Sequence, residues 1–171
     1  LQGHPDRFRM TCVEAATGSL GQGMSIAQGM AMAGKLDKKD FRVFCIVGDG
    51  EIQEGQIWEA AMSAPKFKLD NLSVIVDYNH GQIDGRSDEV MNLEPLSDKW
   101  RAFNWNVIEV DGHDRRALAK TLPQKKEGQP TLIIAHTVKG KGVSFMEGVI
   151  DWHGVAPTDD ELKKALKELE S

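Results

Sequence analysis

The sequence predicts an α/β fold, a three-layer sandwich in which a mostly parallel central sheet lies between helices. Two apolar runs carry that reading, Val43-Phe44-Cys45-Ile46-Val47 and Leu72-Ser73-Val74-Ile75-Val76. Their continuous apolar character suits parallel strands covered on both faces. A segment of helical period separates them. Right-handed β-α-β connection is the near-universal geometry, so both runs end at the same edge of one sheet. The first ends in Gly48-Asp49-Gly50 and the second in Asp77-Tyr78-Asn79. Ligands of such sheets bind outside the carboxyl ends of the strands.

A carboxylate and a carboxamide at one sheet edge suit a divalent cation holding a diphosphate. Mg²⁺ takes hard oxygen ligands and is usually held by one or two protein groups plus phosphate oxygens. Asp49 supplies charge and Asn79 a neutral oxygen. Gly48 lets the chain turn, and Gly50 lets backbone approach phosphate with no Cβ in the way. The helix that follows offers its N-terminal amides to an anion. Gly-Asp-Gly alone also spells an ordinary turn. The whole constellation of strand, Gly-Asp-Gly, helix, strand and Asn is far more specific.

Taken in order, residues 1–17 show no clean period, and Gly3-His4-Pro5-Asp6 reads as a turn. Residues 18–35 form a helix with a glycine-rich entrance, with Leu20, Met24, Ala27 and Ala31 on one stripe. Gly23, Ala27 and Ala31 permit close approach of another helix, inside the domain or across a subunit interface. The first strand spans residues 41–47. Glu51 and Glu54 fall in the first turns of the next helix, where the macrodipole favours acids. Ile57, Ala60, Ala61 and Ala64 form its buried face, and Pro65 helps end it. Residues 79–91 read as a loop. Leu96, Trp100 and Phe103 mark a short helix, and residues 106–110 a third, half-exposed strand. Asp114 is a helix N-cap, and Pro123 ends or kinks the helix that follows. The fourth strand is 131–136. The long loop 137–154 contains Lys139-Gly140-Lys141-Gly142, whose lysines either approach phosphate or keep the loop soluble. Thr158 and Glu161 form a capping box for a last helix with Leu162, Ala165, Leu166 and Leu169 on its apolar face.

A chain of 171 residues is one domain by size, able to bury roughly 70% of its unfolded surface. A net charge of −5 argues against nucleic-acid binding. Two cysteines, Cys12 and Cys45, make no disulfide framework, and Cys45 in an apolar strand reads as a buried, inert thiol. A cytoplasmic location is the expectation. No apolar run approaches a membrane span.

Gly48-Asp49-Gly50 through Asn79 resembles the metal-diphosphate motif of thiamine-diphosphate enzymes. Gly48 to Gly55, Gly3-His4-Pro5, Thr17 to Gly23, Ile83-Asp84-Gly85 and Trp152-His153-Gly154 narrow the resemblance to transketolases. It runs in order over essentially the whole chain. It implies the diphosphate-binding half, as in the N-terminal section of split-gene transketolases, shortened at its front. The implied metal ligands, for Mg²⁺ or Ca²⁺, are Asp49, Asn79 and the Gly81 carbonyl. Gly18, Leu20, Gly48, Gly50 and Glu51 are implied at the thiamine diphosphate, with Ile83 against the thiazolium ring. His4 and His153 are implied beside cofactor and sugar. Glu54 is implied as an acid at the subunit interface communicating with a second active site, and Glu59 more weakly so. His80 and His113 receive no catalytic role. The implied reaction is transfer of a two-carbon ketol unit between sugar phosphates. The implied partners are a second copy of this chain and a C-terminal-section, pyrimidine-binding subunit. 1-Deoxyxylulose-5-phosphate synthase and dihydroxyacetone synthase halves are the related alternatives. A non-catalytic remnant that only binds a partner is the alternative of another class.

Overall fold

The structure is a computed structural model and describes residues 3–170. Along the chain its elements are α1 (Gln22–Leu36), β1 (Val43–Gly48), α2 (Gly55–Lys66), β2 (Leu72–Tyr78), β3 (Gly81–Gln82), β4 (Gly85–Arg86), α3 (Ser87–Val90), α4 (Leu96–Ala102), β5 (Asn106–Asp111), α5 (Arg115–Thr121), β6 (Thr131–His136) and α6 (Asp159–Leu169). Four strands form one all-parallel sheet in the order β1-β2-β6-β5. The expected α/β architecture is therefore present, and β2 and β6 occupy its centre.

Register explains what each face buries. Alternate residues of a strand point to opposite faces. Val43, Cys45 and Val47 share a face with Leu72, Val74 and Val76 and with Leu132 and Ile134, and all are buried. Helices α1, α2 and α4 cover that face. Met24, Ala27 and Ala31 of α1 and Ile57, Ala60, Ala61 and Ala64 of α2 supply the other half of the core. Trp100 of α4 is fully buried, edge-on to Trp105 at 4.8 Å and tilted against Trp58 at 5.8 Å. The Trp105 indole N–H donates to the Ala61 carbonyl at 2.8 Å, which ties the start of β5 to α2.

The opposite face is unequally covered. β1 leads to β2 in one lateral direction and β5 to β6 in the other, so right-handed crossovers place α5 on the face away from α2. Ile133 of β6 is buried there, but Ile46 of β1 is 73% exposed and Phe44 48% exposed. This corrects the expectation that β1 is a central strand covered on both faces. It is an edge strand with one bare apolar face.

One open reading takes a side, and two local expectations change. The stripe Gly23, Ala27, Ala31 packs inside the domain. A Cβ at Gly23 would lie 3.3 Å from Thr17 Cγ2 and 3.9 Å from Cys45 Sγ, and the two alanines are buried. Small residues here let α1 sit close on β1. Leu20 precedes α1 and is exposed, off the buried stripe. The stretch 79–91 is no plain loop, since β3 and β4 pair as a minimal hairpin and α3 adds a helical turn.

The remaining local signals agree with the sequence. Asp114 accepts from the Arg116 and Ala117 amides at the start of α5. α5 stops at Thr121, before Pro123. Thr158 and Glu161 make the capping box of α6. Cys45 is buried, and burial pushes its thiol up to about 12. Among the described residues no helix is long and apolar enough to cross a membrane.

Trp100 joins α2, α4 and β5 with no solvent contact. Replacing it with Ala is expected to lower the unfolding free energy by about 3–5 kcal/mol, read as a shift of the urea midpoint with intact ligand-independent circular dichroism at low denaturant.

Candidate cofactor site

Asp49 follows the end of β1 at the carboxyl edge and is 1% exposed. Its Oδ1 accepts the Gly50 amide at 2.8 Å. Its Oδ2 is buried and, among the described residues, makes no hydrogen bond of normal geometry, the Ser87 hydroxyl and the His80 amide facing the carboxylate without a well-formed bond. Burial raises the carboxyl group above its ordinary value, because desolvation penalises the charged form. A buried acceptor without a well-formed bond is costly unless a cation or proton completes it. A carboxylate oxygen so poorly satisfied suits a cation ligand.

Glu51 holds the turn around Asp49. Its Oε1 accepts the Gly21 amide at 2.8 Å and its Oε2 the Gly48 amide at 3.2 Å. The carboxylate thus ties the entrance of α1 to the end of β1. Glu51, expected at the cofactor, acts in this structure as a brace that shapes the cradle. Gly21 has φ 83°, a left-handed backbone that favours glycine. At Gly50 a Cβ would stand 2.8 Å from Gln82 Cβ, so the hairpin β3–β4 closes directly over the Gly-Asp-Gly turn.

Asn79 follows β2 at the same edge. Its Nδ2 donates to Asp77 Oδ2 at 3.0 Å, and its Oδ1 accepts the Gly81 amide at 2.9 Å. Asp77 is itself bonded by the Thr137 hydroxyl. This fixes the carboxamide with its oxygen toward Gly81 and one lone pair spare. Asp49 and Asn79 thus present a carboxylate oxygen and a carboxamide oxygen at one sheet edge, with a single charge between them. Such a set is too sparse to cage a cation alone and suits one whose shell is completed by phosphate oxygens. The residues therefore fit a metal-diphosphate group.

The long loop 137–154 folds back over this edge as a strap. The Gly148 amide donates to the Lys139 carbonyl at 2.8 Å. Gly140, at φ 69°, lets the loop turn where a Cβ would meet the Met146 carbonyl. The 3₁₀ turn Ile150–His153 reaches β3, where Ile150 Cδ1 would lie 2.7 Å from a Gly81 Cβ. Lys139 Nζ stands 3.4 Å from His153 Nδ1. Lys139, left open by the sequence, thus joins His153 at the site. The glycines around it were the signal for the turn, but nothing local showed which lysine points inward.

The other expected residues are less tightly gathered. His4 packs on Gly18, where a Cβ would come 2.7 Å from His4 Cδ2. Leu20 is 55% and Ile83 73% exposed at the rim. Glu54 is the N-cap residue of α2, exposed, with its Cβ 3.4 Å from where a Gly21 Cβ would be. Asp77 and Thr137, which aim Asn79, could not be read from sequence because their contact joins two strands far apart in the chain.

A sheet-edge site with this donor set and strap defines a cofactor-binding α/β domain. The chain belongs to the transketolase family: the family described as "Transketolase, thiamine diphosphate binding domain" matches residues 1–170. One of the subunits of the apulose-4-phosphate transketolase of Phocaeicola vulgatus is 44% identical over 99% of this chain and 60% of its own length. The 6-deoxy-6-sulfo-D-fructose transketolase subunit SqwG of Clostridium sp. is 46% identical over 99% of this chain and 62% of its own. The crystal structure of Campylobacter jejuni transketolase superposes with a TM-score of 0.87 at 37% identity, covering 92% of this chain and 26% of that one. The chain thus spans about three fifths of the subunit relatives.

Because its carboxyl group is raised, Asp49 favours folding most when protonated. Its contribution is full below the unfolded-state value of about 3.9 and is lost as pH rises through the folded-state value. In metal-free protein Asp49→Asn is therefore expected to be more stable than wild type at pH 7, by about 1–3 kcal/mol, with the gain vanishing in acid. Urea unfolding at both pH values checks this.

Proposed function

We propose that this chain binds thiamine diphosphate with a divalent cation, Mg²⁺ or Ca²⁺, and supplies the diphosphate half of a transketolase active site. The buried, poorly satisfied Oδ2 of Asp49 is the observation that carries the reading. Asp49, Asn79 and the Gly81 carbonyl hold the cation. Gly48, with open space beside it, leaves room for the diphosphate, Gly50 lets the β3–β4 hairpin close on the turn, and Lys139 and His153 offer the diphosphate positive charge and hydrogen bonds from the strap. When bound, the cofactor supplies the electron sink for carbon–carbon cleavage. The residues of this chain bind, orient and shield it. His4 and His153 line the sugar side of the cleft, and Ile83 closes over the ring.

The other half of the site comes from a separate subunit resembling the C-terminal section of transketolase. The two subunit relatives support this, since each is named as one part of an enzyme. Glu54, whose carboxylate is exposed and without a hydrogen-bond or ion-pair partner among the described residues, lies on the surface that a neighbouring chain completes, either the partner section or a second copy. The reaction is ketol transfer between sugars. The relatives' named substrates are a ketose phosphate and a sulfonated ketose. Both carry a terminal anion, so the donor class is a ketose with an anionic tail.

Calorimetry with thiamine diphosphate and Mg²⁺ tests the cofactor reading. Asp49→Ala is expected to weaken binding at least about 100-fold, in line with loss of a charged metal ligand. Unchanged affinity would refute the assignment, and no binding by the wild type with its partner would favour a remnant that only docks.

Turnover tests the division of labour. The purified chain alone is expected to show no ketol transfer, and addition of a cognate C-terminal section to restore it. Activity of the chain by itself would overturn the half-site reading.

A further inference from the structure

The turn between β5 and α5 carries a residue that the cofactor site does not include, His113. Asp111 to Asp114 form a stiff corner at the carboxyl end of β5. The His113 amide donates to Asp111 Oδ1 at 2.8 Å, and Asp114 caps α5. The corner is pressed against the exit of β6. The Gly112 amide donates to the His136 carbonyl at 2.8 Å, and a Cβ at Gly112 would collide with Thr137 Cγ2. From this platform His113 Nε2 accepts the Val138 amide at 2.8 Å.

Val138 lies just past the end of β6, where the strand ladder no longer supplies an acceptor. It is also the last residue before Lys139. Beyond it the strap is closed upon itself by the Gly148 amide to the Lys139 carbonyl and the Val143 amide to the Gly140 carbonyl. A loop closed in this way moves as a unit, so its aim depends on its root. One side of the root is Thr137, whose hydroxyl holds Asp77, which in turn orients Asn79. The other side is the Val138 amide on His113. Glu147, one of the two acids of the strap with Asp151, is engaged by Lys141 Nζ at 3.1 Å and the Gly142 amide at 3.2 Å. Asp111 is engaged by the turn. The imidazole acceptor is thereby left to Val138, and an accepting Nε2 places the ring proton on Nδ1.

We propose that His113 is a positioning residue, whose imidazole pins the root of the strap and so sets Lys139 and His153 over the Asp49–Asn79 edge. Its value for cofactor binding rests on the function proposed above; the brace itself does not. Gln offers an acceptor near the place of Nε2, and Ala offers none.

The test compares wild type, His113→Gln and His113→Ala as full chains by amide exchange, with calorimetry against thiamine diphosphate and Mg²⁺. The Val138 amide is expected to be protected in wild type and His113→Gln, and to exchange about tenfold faster in His113→Ala. The Ile133 and Ile134 amides of β6 keep their protection throughout. Cofactor affinity is expected to fall about tenfold in His113→Ala and to return in His113→Gln. Nitrogen-15 spectra of the wild type are expected to put the ring proton on Nδ1. A proton on Nε2 overturns the proposal, and so does equal Val138 exchange in the three chains. Should His113→Ala not fold, the wild-type tautomer and the protection of Val138 in His113→Gln decide. If wild type binds no cofactor, the function proposed above fails, and the brace is judged on exchange and tautomer.

Discussion

The burial of one carboxylate, Asp49, sets the terms for this structure. An anion at the end of an edge strand would normally turn to water, yet Asp49 is 1% exposed and one of its oxygens makes no hydrogen bond of normal geometry among the described residues. Keeping it there takes several independent contacts. The Gly50 amide holds one oxygen, Glu51 locks the flanking backbone to the entrance of α1, and the β3–β4 hairpin covers the turn. Two of these contacts join the carboxyl edge to other elements, the entrance of α1 and the hairpin. These contacts pre-organise the edge.

The domain is asymmetric. One face of the sheet is closed by α1, α2 and α4, with Trp58, Trp100 and Trp105 as the joint. The other face is closed over β6 and open over β1, where Phe44 and Ile46 stand in solvent. The Arg42 guanidinium lies 4.8 Å over the Phe44 ring and donates to Ser73 Oγ at 2.8 Å, which covers only the lower end of that face. α6 is similarly half-docked: Ala165 is buried and Ser144 bonds Glu168, but Leu162, Leu166 and Leu169 remain 45–59% exposed. Exposed apolar surface of this kind fits a chain that works against other polypeptide.

The site is built from pieces whose spacing along the chain differs widely. Asp49 and Asn79 belong to consecutive strands, so a single crossover brings them together. The strap arrives from β6, and its support comes from β5. Parallel pairing of β5 and β6, with Asp111 opposite His136, is what puts the turn at Gly112 and His113 beside the root of the strap. The cofactor edge thus depends on the strand order β1-β2-β6-β5 as much as on its motif residues.

Much of this was legible beforehand. Apolar runs located the strands, Gly-Asp-Gly and Asn79 located the edge, and Thr158, Glu161 and Asp114 marked helix starts, because each signal is carried by neighbouring residues. The sequence by itself determined the fold class, the sheet edge that Asp49 and Asn79 share, and the family resemblance. Only the tertiary structure decided that β1 is an edge strand, that Gly23, Ala27 and Ala31 face inward, that Glu51 braces the cradle, that Asp77 and Lys139 meet at the Asp49–Asn79 edge, and that His113 holds the root of the strap. Those facts depend on which side chains meet across strands and loops distant in the chain. Local periodicity gives the face of an element, and packing alone gives the neighbour that the face meets.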